Sequence, residues 1–145
     1  MKIETAEKTW ASTSDRQELE RAQRIAQVCK DYVCHLTAGD VAALVNLYAP
    51  EATLHDPIGT AEYRGHEAIR GFYQGGLDYC LGDIKARLEA AVRVRGLDAA
   101  FALVVRADRV AEPFETQSID LIRFNEQLKI VSMTAYWGEI NKIKL

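Results

Sequence analysis

The feature that most constrains the fold is a change of hydrophobic period near the middle of the chain. From residue 84 onward, apolar side chains recur at every second position in three long runs, over residues 84–94, 99–107 and 115–136. Short polar turns separate the runs, and Asn125-Glu126-Gln127 interrupts the last one. Because successive side chains of a strand point to opposite faces, this period predicts an antiparallel sheet.

The first half of the chain has the helical period instead. Ser14 and Gln17 fit an N-terminal capping box, and apolar residues then follow at steps of three and four as far as Leu36. Gly39 is suited to end this long helix, because glycine readily adopts the left-handed conformation found there. The preceding residues, 1–14, show no period, and we expect them to form a flexible arm.

Two shorter helices are expected before the sheet. Asp40 can cap the first of them, which we expect to run through Tyr48 and to stop at Pro50. The other is predicted from about His66 to the Gly75-Gly76 pair. Helices followed by strands are typical of an α+β domain, here over residues 15–145, in which three helices cover one face of a curved, mostly antiparallel sheet. A sheet wrapped over helices leaves a cone-shaped pocket.

The composition narrows the class of protein. At 145 residues, with 48% hydrophobic and 27% charged, the chain has the size and mixture of one globular domain. No apolar run approaches the length needed to cross a bilayer, so we expect no membrane partner. The net charge of −3, with both signs interspersed, offers no basic face for nucleic acid.

The cysteines and histidines do not indicate a metal centre. Cys29, Cys34 and Cys80 are odd in number and lack the spacing of metal ligands. The three histidines share no face at ligand spacing, so we expect neither zinc nor haem. The N-terminal residues lack the apolar core of a secretory signal, which favours a reduced, cytoplasmic chain.

Asp56 breaks the pattern of a short strand. By alternation it shares a side with Ala52 and Leu54, and Pro57 then begins a turn. A carboxylate aimed at an apolar interior is costly unless it is paired or functional, which makes Asp56 a candidate functional residue. The alternative is an Asx turn, in which the carboxylate accepts backbone N–H groups of its own turn.

Asp120 breaks a second apolar segment, since its neighbours offer apolar side chains to both faces of a strand. Burial there would raise its pKa and could leave the carboxyl neutral, as a hydrogen-bond donor. The alternative is an ion pair with Arg123 of the same run or with an edge arginine such as Arg93. Alternation places Arg123 on the opposite face, which weakens that alternative.

Three tyrosines are expected to meet in the interior. Tyr32 lies on the inward side of the long helix, and we expect Tyr48 and Tyr73 on the inward faces of the second and third helices. A buried phenol needs a hydrogen-bond partner. Taken singly, each tyrosine is better explained as a core residue, so only their combination indicates a site.

Together these residues make the chain resemble the ketosteroid isomerases (steroid Δ5-Δ4 isomerases) of the nuclear-transport-factor-2-like, or SnoaL-like, superfamily. The resemblance runs from about Ala22 to Asn141, apart from a longer connection at 77–83. The matching segments are Tyr32, Thr37-Ala38-Gly39-Asp40, Leu47-Tyr48-Ala49, Asp56-Pro57-Ile58-Gly59, Phe72-Tyr73, Ile119-Asp120, Arg123-Phe124 and Ala135-Tyr136-Trp137.

The resemblance implies a steroid Δ-isomerase that needs no cofactor and moves a double bond into conjugation with a ketone through a dienolate. Asp56 would be the general base, and Tyr32 and a protonated Asp120 would hold the dienolate oxygen. Tyr48 and Tyr73 would support that pair. The residues implied to line the pocket for a small apolar ketone, such as a steroid, are Phe72, Phe101, Leu103, Met133 and Trp137.

Other functions stay open from the sequence. A polyketide cyclase or an epoxide-opening enzyme could use the same fold with different acid chemistry, and a non-catalytic module could bind a small ligand there. The pairing of Tyr32 with Asp120 favours an enzyme that holds one oxyanion. His55 precedes Asp56 and either faces solvent or tunes that carboxylate. Exposed apolar positions on the sheet indicate a homodimer.

Overall fold

The computed structural model describes residues 15 to 145, so the arm expected at residues 1–14 lies outside the described residues. The long helix α1 (Arg16–Ala38) begins at Asp15, whose carboxylate accepts the backbone N–H groups of Gln17 and Glu18. The prediction of Ser14 as the cap is wrong by one residue, because Asp15 supplies the acceptor. Gly39 ends the helix in the left-handed conformation (φ 66°), as expected.

The second helix, α2 (Val41–Asn46), is shorter than the sequence predicts. Asp40 caps it, but the helix ends before Tyr48, which opens strand β1 (Tyr48–His55). The prediction that Tyr48 lies on a helix is therefore wrong, and Pro50 lies inside a strand. The pairing of β1 shifts register around Pro50, where a missing N–H removes no regular ladder bond.

A two-residue strand, β2 (Tyr63–Arg64), precedes helix α3 (Gly65–Tyr79). The helix continues through the Gly75-Gly76 pair, so the prediction that these glycines end it is wrong. Both glycines are exposed, whereas the inner face, with Ile69 and Tyr73, is buried. Packing of that face outweighs the cost of glycine in a helix, about 1 kcal/mol per residue.

The second half forms the sheet that its period predicts, with one division. The first run splits into β3 (Lys85–Leu88) and β4 (Arg93–Arg95), and both pair with β5 (Asp98–Ala107). Strand β6 (Phe114–Phe124) pairs with the whole of β5, and β7 (Ile130–Tyr136) pairs with β6. These long antiparallel ladders form the centre of the sheet.

The strand order is β2-β1-β7-β6-β5-β3, and β1 pairs with β7 in parallel. A short 3-10 turn (Glu139–Asn141) leads to β8 (Lys142–Lys144), which pairs with the start of β6. The expected α+β fold with a mostly antiparallel sheet is confirmed. Because β1 and β7 are parallel, the residues that follow these two strands lie at the same end of the sheet.

The helices pack on one face of the curved sheet. Buried inner positions of the central strands alternate with half-buried or exposed outer ones. Phe101, Ile122 and Met133 are buried together with Ile25 of α1. None of the described helices is both long and apolar enough to cross a membrane. The outer face of the sheet leaves large apolar side chains exposed, namely Ile119, Leu121, Tyr136 and Ile143.

Candidate active site

A cavity of about 220 Å³ lies between the helices and the inner face of the sheet. Tyr32 of α1, Asp56 after β1 and Asp120 of β6 all line it. Most of the remaining wall is apolar and includes Leu36, Val41, Leu44, Leu77, Ile84, Leu103 and Val105. Two carboxyl groups and a phenol from distant parts of the chain therefore share one apolar cavity.

Asp56 is held at the cavity by contacts to strand β7 and to the residue that follows it. The backbone N–H of Ile58 donates to the carbonyl of Ala135 (2.8 Å), which attaches the turn after β1 to β7. The indole Nε1 of Trp137 donates to Oδ1 of Asp56 (2.6 Å). The carboxylate thus accepts from Trp137 rather than from its own turn, which argues against the Asx-turn alternative.

Burial raises the pKa of Asp56 above its ordinary value, and the hydrogen bond from Trp137 lowers it. The indole donor favours the charged form, because it points at the oxygen that carries negative charge. The sequence does not reveal this contact, since Trp137 and Asp56 meet only through the parallel pairing of β1 with β7.

Asp120 is almost fully buried, with 1% of its surface exposed. The Oγ of Ser118 donates to its Oδ1 (2.8 Å). The pKa of Asp120 is raised to about 7. Burial is the main cause, the Ser118 hydrogen bond acts in the opposite direction, and the nearby charge of Asp56 raises the pKa further. Arg123 pairs instead with Asp98 (2.9 Å), so the alternative of an ion pair between Arg123 and Asp120 is wrong.

The three tyrosine hydroxyls form a chain in the interior. The hydroxyls of Tyr48 and Tyr73 lie 2.5 Å apart, and the hydroxyl of Tyr73 donates to that of Tyr32 over 3.5 Å. Each phenol has one hydrogen to donate, so Tyr48 donates to Tyr73. The hydrogen of Tyr32 is then left free to donate into the cavity. Tyr48 reaches this chain from β1, although the sequence predicts it on a helix.

All three phenols are held in their protonated form. Burial raises the pKa of Tyr32, Tyr48 and Tyr73 well above the ordinary value for tyrosine. The carboxyl group of Asp120 raises the pKa of Tyr32 further. Tyr32 is therefore a neutral hydrogen-bond donor beside the buried carboxyl of β6.

The residues expected to line a substrate pocket divide into two groups. Phe72, Leu103 and Trp137 lie on the cavity wall. Phe101 and Met133 lie instead in the hydrophobic core, where the ring of Phe101 packs 6.0 Å from that of Tyr32. The alternation of the strands correctly predicts that both side chains point inward. It does not show which inward side chains are separated from the cavity by their neighbours.

Two polar wall residues were not proposed as site residues from the sequence. Thr116 and Ser118 lie on β6 and line the cavity together with Asp120. Alternation is the signal that could have found them, because positions 116, 118 and 120 share one face of a strand. With Asp120 they give the wall a polar stripe.

His55 and His66 each contact a group other than Asp56 and Asp120. Nε2 of His55 lies 3.7 Å from Oε1 of Glu62, and Nε2 of His66 contacts the backbone carbonyl of Tyr48 at 2.7 Å. Within residues 15 to 145, no three histidine, cysteine or acidic side chains come together as a metal site would require.

Comparison with known proteins identifies the family. Residues 29–133 match the SnoaL-like domain family. The chain is 36% identical over 108 residues to the steroid Delta-isomerase of Nocardioides simplex, a match that covers 74% of this chain and 84% of that protein. A solved structure of the epoxide hydrolase/cyclase-like enzyme SalBIII, described with a role in pyran ring formation in polyether salinomycin, is also similar.

That structure matches with a TM-score of 0.77 at 21% identity, over 85% of this chain and 97% of that one. At this identity the likeness shows the fold alone. The family match covers most of the chain, and the relative from Nocardioides simplex is similar over most of its own length. The chain therefore belongs to the SnoaL-like family, with the fold of nuclear transport factor 2, and is a relative of steroid Delta-isomerase.

Proposed function

We propose that the protein is a steroid Δ-isomerase. It converts a 3-oxo-Δ5 steroid, or a similarly flat β,γ-unsaturated ketone, into the conjugated 3-oxo-Δ4 ketone without a cofactor. The observation that carries the proposal is the shared apolar cavity of Asp56 and Asp120. Burial raises the pKa of both carboxyl groups, that of Asp120 to about 7, and only Asp56 has an indole donor that favours its charged form. The similarity to a steroid Delta-isomerase supports the choice of reaction.

Asp56 is the proton carrier in this reaction. Its carboxylate removes a proton from the carbon between the ketone and the double bond, and the C–H electrons form a dienolate. The negative charge lies mainly on the former ketone oxygen. The protonated Asp56 then returns the same proton to the far carbon of the dienolate, which leaves the double bond conjugated with the ketone.

Tyr32 and Asp120 stabilise the dienolate oxygen. Both are neutral O–H donors in a cavity whose wall is largely apolar, so their dipoles act with little competition from water. One such donor typically contributes a hundredfold to a thousandfold in rate. An ionised Asp120 would repel the dienolate, so the reaction requires its protonated form.

The direct test is ultraviolet absorbance of the conjugated enone after adding 5-androstene-3,17-dione to the purified protein. We expect the enone signal to grow with the wild-type protein and to be mostly lost with Asp120→Leu. The variant should still fold, because leucine replaces a buried side chain that the proposal takes to be neutral. Binding of the steroid without any enone signal would favour the binding-module alternative. If the protein neither binds nor converts the steroid, the result would favour a cyclase or epoxide-opening reaction on another substrate.

We further propose that the protein is a homodimer that uses the outer face of the sheet. Ile119 of β6 pairs directly with Tyr136 of β7, and Leu121 lies two residues along β6, so the exposed apolar side chains are contiguous. Sedimentation equilibrium should give a dimer for the wild-type protein and a monomer for Leu121→Glu. A monomeric wild-type protein would contradict the dimer and leave the isomerase proposal standing.

A further inference from the structure

The hydrogen bond between Ser118 and Asp120 has a chemical consequence beyond stability. Ser118 precedes Asp120 by two residues on β6, lines the same cavity, and donates from Oγ to Oδ1 over 2.8 Å. In a neutral carboxyl group, one oxygen accepts hydrogen bonds and the other carries the hydrogen. An oxygen that accepts from Ser118 takes the carbonyl role, which leaves Oδ2 to hold the proton.

We propose that Ser118 is a positioning residue that keeps the proton of Asp120 on Oδ2, from which it can be donated to the substrate oxygen. The inference rests on the proposed isomerase function. Without Ser118, the proton could occupy either oxygen, and the carboxyl would be free to rotate. The donor would then be less well ordered when negative charge develops on the substrate.

The same hydrogen bond works against the neutral state of Asp120. A hydroxyl donor stabilises the ionised carboxylate, so Ser118 lowers a pKa that burial raises. The other titratable groups that face Asp120 are Cys29 and Tyr32 of α1, Tyr48 at the start of β1, Asp56 just after β1, and Tyr73 of α3.

Among these groups, Asp56 is the other carboxyl, and the indole of Trp137 favours its charged form. Burial holds the cysteine and the three phenols in their neutral forms. The negative charge of Asp56 disfavours a second negative charge, so it raises the pKa of Asp120. Ser118 thus opposes both burial and Asp56, and it sets how far up the pH scale the neutral donor persists.

The test is a titration of Asp120 in the full-length protein with ¹³C-labelled aspartate carboxyl groups, assigned by the signal missing from Asp120→Asn. We expect Ser118→Ala to raise the pKa of Asp120 by about one unit, the size of one hydrogen bond to a charged group. Ser118→Thr, which keeps the hydroxyl, should restore the wild-type value. Thr116→Val, a hydroxyl deletion on the same strand face, should leave the titration unchanged.

The kinetic counterpart is the alkaline limb of kcat/KM in the enone assay. With Ser118→Ala this limb should move to higher pH, because the pKa of Asp120 rises. The plateau value of kcat should fall about tenfold. If the pKa of Asp120 falls in Ser118→Ala, then Ser118 accepts the hydrogen bond from Asp120 and directs its proton away from the substrate. If that pKa is unchanged, Ser118 does not position the proton of Asp120. Either result would overturn the inference. An inactive wild-type protein whose Asp120 pKa still rises in Ser118→Ala would refute the isomerase alone.

Discussion

The indole Nε1 of Trp137 donates a 2.6 Å hydrogen bond to Oδ1 of Asp56, and this bond joins the residue after β7 to the residue after β1. The two strands are parallel neighbours, so the sheet itself brings these side chains together. Trp137 orients the carboxylate and favours its charged form in a site where burial opposes that charge. The contact therefore determines how acidic the solution can become before the proposed base is protonated.

Trp137→Phe should move the acidic limb of kcat/KM to higher pH. The substitution removes a donor that stabilises ionised Asp56, so the pKa of Asp56 should rise further, by about one unit. Because the base acts only when ionised, the variant should lose activity first at the acidic end of the profile. Phe72→Leu, which changes an aromatic wall residue without removing a donor, is the control. An acidic limb that stays in place would show that Trp137 only fills space.

The wild-type protein should lose activity as the pH rises above about 7. In the proposed reaction Asp120 must be protonated to donate to the dienolate oxygen, and its pKa is raised to about 7. We expect kcat/KM to fall about tenfold per pH unit above that value. Asp120→Asn keeps N–H donors at every pH, so its lower activity should not show this limb. A level wild-type profile from pH 6 to pH 9 would argue that neutral Asp120 is not required.

The free energy of unfolding should depend on pH through the same group. Between about pH 4 and pH 7 the folded protein keeps the proton of Asp120, whereas the unfolded chain has lost it. The folded state then binds more protons, so stability falls as the pH rises, by at most about 1.4 kcal/mol per pH unit. Urea unfolding at several pH values should show this slope for the wild type and a flatter one for Asp120→Asn. Equal slopes would place Asp120 in a solvated environment.

The two carboxyl groups could be singled out from the sequence because each interrupts an apolar alternation. The position of Tyr48 on a strand could not be predicted. A proline such as Pro50 is typical of the end of a helix, and the register shift that lets it lie within β1 is not visible in the sequence. The contact between Trp137 and Asp56 also depends on tertiary structure, since it needs two strands far apart in sequence to pair in parallel. Local patterns give the elements and their inner faces, whereas pairing determines which side chains meet.

The tyrosines should contribute unequally to the rate. Tyr32→Phe removes a proposed donor to the dienolate and should lower kcat a hundredfold to a thousandfold. Tyr73→Phe leaves that donor and removes only the hydrogen bonds that orient it, so we expect a loss of about tenfold. Tyr79→Phe, at an exposed position, is the control and should be silent. A loss in Tyr73→Phe as large as that in Tyr32→Phe would contradict the order of the hydroxyl chain.

The decisive comparison is kcat for enone formation by the wild-type protein and by Asp56→Asn. The amide cannot accept the proton, so kcat should fall a hundredfold to ten thousandfold, the usual contribution of a general base. Asp98→Asn, which changes an exposed carboxylate paired with Arg123, should keep full activity and serves as the matched control. Binding of the conjugated product should be retained in Asp56→Asn, which shows that the cavity is intact. A kcat within threefold of the wild-type value would contradict the assignment of Asp56 as the residue that moves the proton.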